Sequence, residues 1–519
     1  SSFQVAVEQR RPEQQYKSQY GDLFDNFKAR GRMSGISIAI AAGLIGLLWQ
    51  ASEPVDAGLQ QAIRAEIELA GGSDRPGAAG LVGEVYERRA LAPAWDDPER
   101  IGQLLEAVRA SYDDGLSPAD YRLAGIEEVH QSVATGQERS LSERAELDLM
   151  LTDSLIRLVY HLGYGKVDPA TLKSSRATER QLKGEDPSTV IEEILVSDDL
   201  VAAISSIGPN SSDYERLKAQ LKQHRLIAAT GGWPEVPAGP TIRPEANDPR
   251  LEILARRLAI SGDLVAGAWS APGTYDEVLE DAVRRFQARH GLEEDGLVGR
   301  ATLRAFNVSI EQRIDQIRLN LERVRWRSDS QVKDLILVNV AGFKMHVIRD
   351  GGKLLTKKAI VGGPEDQTPM FQSMLTHIVL NPTWTVPCRI ASEELLPDIK
   401  KDPDYLARGK YQLLDRDGNL IDASAIDWSS IDERNFPFTL VQQPGPASQL
   451  GQVKFMIPND YSVCMHDTPT RQLFAQASRA LSHGCIRIHE PLALAELLLG
   501  DQGWTRAQID EQIESGETK

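Results

Sequence analysis

The sequence predicts an α+β multidomain chain, helical in its first part and β-rich in its last third. Three observations carry this. The chain has 519 residues, more than one domain usually holds. Between residues 55 and 230, stretches such as LQQAIRAEIELA, RIGQLLEAVRASY and RAELDLMLTDSLIRLVYHLGYG space their apolar residues by three and four, the period of a helix. After residue 330 the pattern turns to alternation. DLILVNVAGFKMHVIRDGGKLLTKKAIVGG, with Gly351-Gly352 inside it, reads as a hairpin.

Composition narrows the function classes. A hydrophobic share of 41% and a charged share of 26% are those of a folded protein. A net charge of −17 argues against broad nucleic-acid binding, so no nucleic-acid partner is expected. There are three cysteines, Cys388, Cys464 and Cys485, with no CxxC spacing, and the nine histidines form no HxxxH or HExxH pattern. No metal and no organic cofactor is expected.

Taken in order, residues 1–32 read as a short segment ahead of a membrane anchor. MSGISIAIAAGLIGLLWQAS, residues 33–52, carries no charge and is just long enough for a spanning helix, which needs about 20 residues. Lys28, Arg30 and Arg32 precede it, and Glu53 and Asp56 follow. That asymmetry places residues 1–32 in the cytoplasm and exports the rest. A cleaved signal peptide, with Ala51 or Ala57 at the cut, is the other reading. Both export everything from about residue 53.

Residues 53–248 read as a helical scaffold, with Ser117 expected to cap a helix in SPADYRLAGIEEVH and a Gly/Pro-rich stretch closing it from residue 230. Residues 249–307 read as a compact helical unit in which Val278, Leu279, Ala282, Val283 and Phe286 share one face. Ala282, Val283, Phe286, Gln287, Gly291, Asp295, Gly296, Val298, Gly299 and Thr302 give it a resemblance to the three-helix peptidoglycan-binding module. A connecting helix follows at 308–330, then a β-rich domain at 331–510, with a more helical cap insertion at 389–436.

The chemistry centres on LSHGCIRIHE, residues 481–490. Cys485 has small and polar neighbours instead of an apolar run. A cysteine nucleophile must reach its thiolate form, needs a histidine nearby, and needs backbone N–H groups facing the developing oxyanion. His466, His483 and His489 are all near in the chain, and spacing alone leaves only a modest lead to His466.

The stretch MHDTPTRQLFAQASRALSHGCIRIHE resembles the active-site signature of the L,D-transpeptidases with a YkuD-type catalytic domain. LNPTWTVP, residues 380–387, resembles the family's strand exit. The helical first part, the binding module and the insertion make the large YcbB-like Gram-negative branch the nearest likeness. The resemblance implies Cys485 as nucleophile, His466 as general base and the Asp467 carbonyl as the group that orients it. It implies that Ser482, His483 and Gly484 shape the turn, that Gly484 and Cys485 supply oxyanion donors, and that Arg487 holds the loop or meets a substrate carboxylate.

Weaker candidates for substrate contact are Trp384, Tyr461 and Cys464. Cys464, two residues before His466, faces the same way as His466 on a strand and is either a small filler or a redox partner. The implied reaction forms 3→3 cross-links between peptidoglycan stem peptides through a Cys485 thioester. The implied setting is the periplasm, anchored in the inner membrane through 33–52, with other cell-wall or envelope proteins as further partners. Carbapenem-type β-lactams are expected to acylate Cys485. The alternatives are the same acyl-enzyme with water or a protein amine as acceptor, or a silent peptidoglycan-binding anchor. A papain-like protease is disfavoured because its cysteine precedes its histidine.

Overall fold

The computed structural model describes residues 4–8, 57–69, 78–136, 138–168, 186–326, 334–350 and 352–519. The proposed anchor at 33–52 lies outside them. Among the described residues, no helix is long and apolar enough to cross a membrane.

The N-terminal region is helical: α1 (Ala57–Leu69), α2 (Ala78–Arg88), α3 (Pro98–Ala110), α4 (Leu123–Ala134), α5 (Leu141–Tyr164), α6 (Pro187–Val196), α7 (Leu200–Ser205) and α8 (Ser212–Ala229). Helix α5 is its post. A capping box between Ser140 and Glu143 starts it, and Leu151, Leu155, Ile156, Leu158 and Val159 are buried along it. Asp148, buried on the same helix, accepts from the backbone N–H groups of Ala94 (2.9 Å) and Trp95 (3.0 Å) and from the Tyr86 hydroxyl. Ser117 does not cap as expected. Pro118–Tyr121 is a single 3₁₀ turn, and Arg122 at φ 56° breaks the chain direction before α4.

The compact unit contains α9 (Leu251–Ile260), α10 (Glu277–His290) and α11 (Arg300–Phe306). Asp276 caps α10 at Leu279 N–H (3.0 Å), and Gly291 ends it at φ 65°. Leu279, Ala282, Val283 and Phe286 are buried, whereas Val278 is exposed. The Gln287 amide donates to Asp295 Oδ1 (2.8 Å) and to Leu297 O (3.0 Å), and accepts from Gly296 N–H (2.9 Å). Several residues that carry the likeness to the binding module therefore hold the unit together.

Helix α12 (Ile310–Arg325) joins this unit to the β-rich domain and lies along α8, burying Leu321 and Val324 against Tyr214 and Leu221. Arg325 donates to the Tyr214 hydroxyl (2.8 Å), and Arg318 to Gly115 O (3.0 Å). The connecting helix is thus clamped to the scaffold.

The β-rich domain has strands β1 (Gln4–Glu8), β2 (Asp334–Asn339), β3 (Lys344–Arg349), β4 (Gly352–Gly362), β5 (Phe371–Met374), β6 (His377–Leu380), β11 (Val453–Met456), β12 (Met465–His466), β13 (Ala480–Ser482) and β14 (Ile486–Ile488). The sheet runs β5-β1-β2-β3-β4-β14-β12-β11-β6, with β13 also on β4. The expected hairpin is two arms of the β2–β3–β4 meander. Helices α15 (Pro491–Leu499) and α16 (Arg506–Ser515) pack on the sheet through Leu494, Ala495, Leu498 and Ile509. Asn381, at φ 50°, donates to Gln512 O (2.9 Å) and Ile513 O (3.2 Å), so it closes the end of α16.

Within residues 1–32, Gln4–Glu8 form strand β1. Val5 lies parallel to Ile336 and antiparallel to Ser373, so residues 4–8 fill the place between β2 and β5. Val5 and Val7 are fully buried in the main core.

The insertion is also larger than expected. A π-helical turn (Ile390–Leu395), α13 (Leu396–Lys401) and α14 (Tyr405–Arg408) sit with a separate sheet ordered β7-β10-β8-β9. Its strands are β7 (Trp384–Thr385), β8 (Tyr411–Leu414), β9 (Leu420–Ile421) and β10 (Thr439–Gln442). The unit has its own core of Val386, Ala391, Ile399, Leu406, Leu413 and Leu440. It runs from Trp384 to Gln442, beyond the expected 389–436, because its two outermost strands belong to it.

Candidate active site

Strands β12 and β14 run parallel, pairing Met465 with Ile486 and His466 with Arg487. One step earlier this register sets Cys464 beside Cys485. The Ile486 N–H donates to Cys464 O (2.8 Å), which pins the two chains at the site. The Cys485 sulfur accepts from the Cys464 N–H (3.4 Å) and lies 3.2 Å from the Cys464 sulfur.

His466 is buried, and its Nδ1 donates to the Asp467 carbonyl at 2.5 Å. That fixes the tautomer and leaves Nε2 as the free ring nitrogen. An imidazole nitrogen of His466 and both sulfurs lie within 4.8 Å of one another, a spacing that also suits a soft metal ion. The sequence named all three as site candidates, but no ligand-spacing motif marked them as a set, because they come from two strands.

The electrostatics separate the two thiols. The hydrogen bond from Cys464 lowers the Cys485 thiol far below the usual range, against the cost of burial, and His466 adds a hydrogen bond and charge in the same direction. Cys464 moves the other way, well above that range. Its hydrogen bond to Cys485 and its burial both hold the proton on. These opposite shifts favour the thiolate on Cys485 and the thiol on Cys464.

The turn before Cys485 is tied at several points. Ser482 Oγ donates to Cys485 O (2.6 Å) and accepts from Gly484 N–H (3.3 Å). Gly363 N–H donates to Ser482 O (2.8 Å). Gly484 sits at φ 105°, while a Cβ there would meet nothing closer than 3.8 Å. Its need is for that backbone conformation and not for empty space. Thr368, fully enclosed, donates to Gly484 O (2.7 Å) and accepts from Gly362 N–H (2.8 Å). Sequence reasoning missed Thr368, which sits in a polar loop more than a hundred residues away.

The other predicted residues divide. The Asp467 carboxylate is buried and accepts from Gln452 N–H (2.9 Å) and Arg471 (3.3 Å), so its side chain braces the loop while its carbonyl holds the base. His483 Nε2 pairs with Glu394 Oε1 of the insertion at 2.9 Å, a partner the sequence did not suggest. Arg389, at the insertion's start, forks onto Asp366 at 2.8 Å to each oxygen. The backbone oxygen of Asp366 is that nearest neighbour of the Gly484 position. Burial pushes the Arg487 guanidinium down, and the nearby Cys485 works against this. The buried Arg487 Nε has no hydrogen-bond partner among the described residues.

Trp384 belongs to the insertion's small core. Tyr461 is exposed and tilts against Phe371, 5.8 Å between ring centres. The carbonyl of Ser462, the residue after Tyr461, lies 3.9 Å from the Cys485 sulfur. His489 stands edge-on to Phe474 at 5.1 Å, a packing position.

Comparison with known families agrees with this geometry. The model of the L,D-transpeptidase catalytic domain matches residues 333–509. The chain carries an L,D-transpeptidase catalytic domain. Around that domain, a candidate peptidoglycan-binding domain model matches residues 247–306 and a scaffold-domain model residues 80–221. A Haemophilus influenzae protein described as a candidate L,D-transpeptidase is 39% identical over 211 residues. That alignment covers 40% of this chain and 42% of the relative. The L,D-transpeptidase domain holds Cys485, His466 and the whole sheet except β1.

Proposed function

We propose that the chain is a cysteine L,D-transpeptidase that joins peptidoglycan stems by 3→3 cross-links through a thioester on Cys485. The observation that carries this is the pairing of a depressed-pKa Cys485 sulfur with a histidine oriented by the Asp467 carbonyl. The Cys485 thiolate attacks the carbonyl of the L,D peptide bond before the terminal D-Ala of a tetrapeptide stem. The Cys485 N–H is the oxyanion donor we assign, because the Gly484 N–H is turned to Ser482. His466 Nε2, having taken the proton of the Cys485 thiol, gives it to the departing D-Ala amine, and the stem stays as a thioester. His466 then takes a proton from the side-chain amine of a neighbouring stem's third residue. That amine attacks the thioester, closes the new amide bond and returns the thiolate.

The insertion caps the site, because two of its ion pairs, Glu394–His483 and Arg389–Asp366, end on loops flanking Cys485. We assign Arg487, whose buried Nε has no partner among the described residues, to a stem carboxylate. The 247–306 unit holds the glycan-peptide polymer near the site. A substrate of this kind puts the chain in the cell envelope, and we read the periplasm of a Gram-negative bacterium. Carbapenem-type β-lactams acylate Cys485.

The test is incubation of the full chain with a disaccharide-tetrapeptide, beside Cys485→Ala, with products read by mass spectrometry. A dimer that has lost one D-Ala, absent with the variant, is expected. A tripeptide without dimer would make water the acceptor and the enzyme a hydrolase. No product from folded protein would leave a binding anchor.

A further inference from the structure

Acyl transfer uses Cys485 and leaves Cys464 without a chemical step. The two sulfurs nevertheless sit 3.2 Å apart, inside ordinary contact for non-bonded sulfur. They occupy neighbouring positions of two parallel chains that the Ile486 N–H···O Cys464 bond holds in register. Adjacent strands lie about 4.7–4.9 Å apart, within the Cα separations of about 4.4–6.8 Å that a disulfide spans. A bond of about 2.05 Å requires the sulfurs to move roughly 1 Å closer. Side-chain rotation supplies that without moving the sheet. Both residues are half-buried, so a small oxidant reaches them.

We propose that Cys464 is a resolving cysteine, and that oxidation of Cys485 closes the site reversibly as a Cys464–Cys485 disulfide. This rests on the reading of Cys485 as the reactive thiolate. The oxidant is hydrogen peroxide. The Cys485 thiolate attacks one peroxide oxygen and the O–O bond breaks, giving Cys485–SOH and hydroxide. The Cys464 sulfur then attacks the Cys485 sulfur. The S–OH bond breaks and the hydroxyl leaves as water with the Cys464 proton. Two electrons have passed from the two thiols to the peroxide. Without Cys464, the sulfenic acid is open to a second peroxide and to irreversible sulfinic acid. The disulfide removes the nucleophile, so it silences transfer and protects the sulfur at once. A dithiol reverses it by exchange. Cys388, the third thiol, is exposed at the start of the insertion and serves as an internal control.

The experiment treats the reduced full chain with hydrogen peroxide in the presence of a chelator. Remaining thiols are alkylated after denaturation, and intact and peptide masses are read. In the wild type, three alkylatable thiols fall to one, the mass drops by two hydrogens, and the peptides bearing Cys464 and Cys485 travel together until dithiothreitol is added. Cys464→Ser, with folding checked by circular dichroism, instead gains two oxygens on Cys485, and dithiothreitol does not remove them. Cys388→Ser still forms the linked peptides. Wild type that gains two oxygens on Cys485 as fast as Cys464→Ser would overturn the proposal, as would linkage through Cys388. Thiol counts do not depend on transfer. If the linked peptides form while the reduced chain makes no cross-linked dimer, the proposed reaction fails and the resolving cysteine stands.

Discussion

At the scale of single residues, the site depends on donors that point at one sulfur. Cys464 is the largest of them, and it acts on the ionisation of Cys485 before it acts on anything else. The direction can be worked out. A hydrogen bond to the charged form lowers a thiol pKa, so removing the donor raises it. Cys464→Ala should shift the pH midpoint for iodoacetamide alkylation of Cys485 upward, toward the ordinary thiol value of about 8.5. An unchanged midpoint would mean that His466 alone sets the thiolate. Thr368 is the second residue whose role is local and specific. Thr368→Val leaves Gly484 O and Gly362 N–H without their partner in an enclosed place, at a cost of about 1–3 kcal/mol. A lower melting temperature together with slower acylation of Cys485 by a β-lactam is expected, because the carbonyl it holds belongs to the turn that aims the sulfur.

At the scale of elements, the insertion is tied to the site by ion pairs and not by a shared core. Its apolar residues close on themselves. The Arg389–Asp366 and His483–Glu394 pairs are half-exposed, and such exposed pairs contribute little to stability. Glu394→Gln combined with Arg389→Gln should therefore leave thermal stability nearly unchanged. The same pair should raise KM for the stem substrate while kcat falls less, as measured by steady-state kinetics. A large loss of melting temperature would show that the latches are structural. The helical elements follow a simpler logic. Helices α5, α10 and α12 each begin at a capping Ser or Asp, and each buries one apolar stripe.

At the scale of the molecule, the sheet joins residues from opposite ends of the chain. Val5 and Val7 of β1 are buried beside Ile336, Val338 and Phe371. Burying two valines is worth roughly 3–6 kcal/mol as an upper bound. Their removal also leaves β2 and β5 with unpaired edges. Deleting residues 1–8 should lower the melting temperature of the catalytic domain and increase aggregation, followed by differential scanning fluorimetry and light scattering. An unchanged melting temperature would show that β1 adds nothing to the folded domain.

The sequence alone was enough for the class and the helical spans, because each is written in local periods, and the SHGC motif pointed to Cys485 as the candidate nucleophile. The helix that ends at Gly291 could be read without coordinates. The strands were legible as a pattern but not as partners. Pairing is set by contacts across hundreds of residues, which explains why Gln4–Glu8 looked like a stub before a hydrophobic run. Spacing left His466 only a modest lead and the resemblance made the choice; the parallel pairing of β12 and β14 and the Glu394 partner of His483 came only with the structure. Thr368 carried no signal in its own neighbourhood, since a buried threonine and an exposed one have the same letters around them. Trp384 looked like a substrate contact because aromatic side chains serve both recognition and packing, and only the small core of the insertion decided between them. The residue types were thus fixed by the chain's own chemistry, while the choice of which atoms meet was left to register and burial, where desolvation and hydrogen-bond geometry do the selecting.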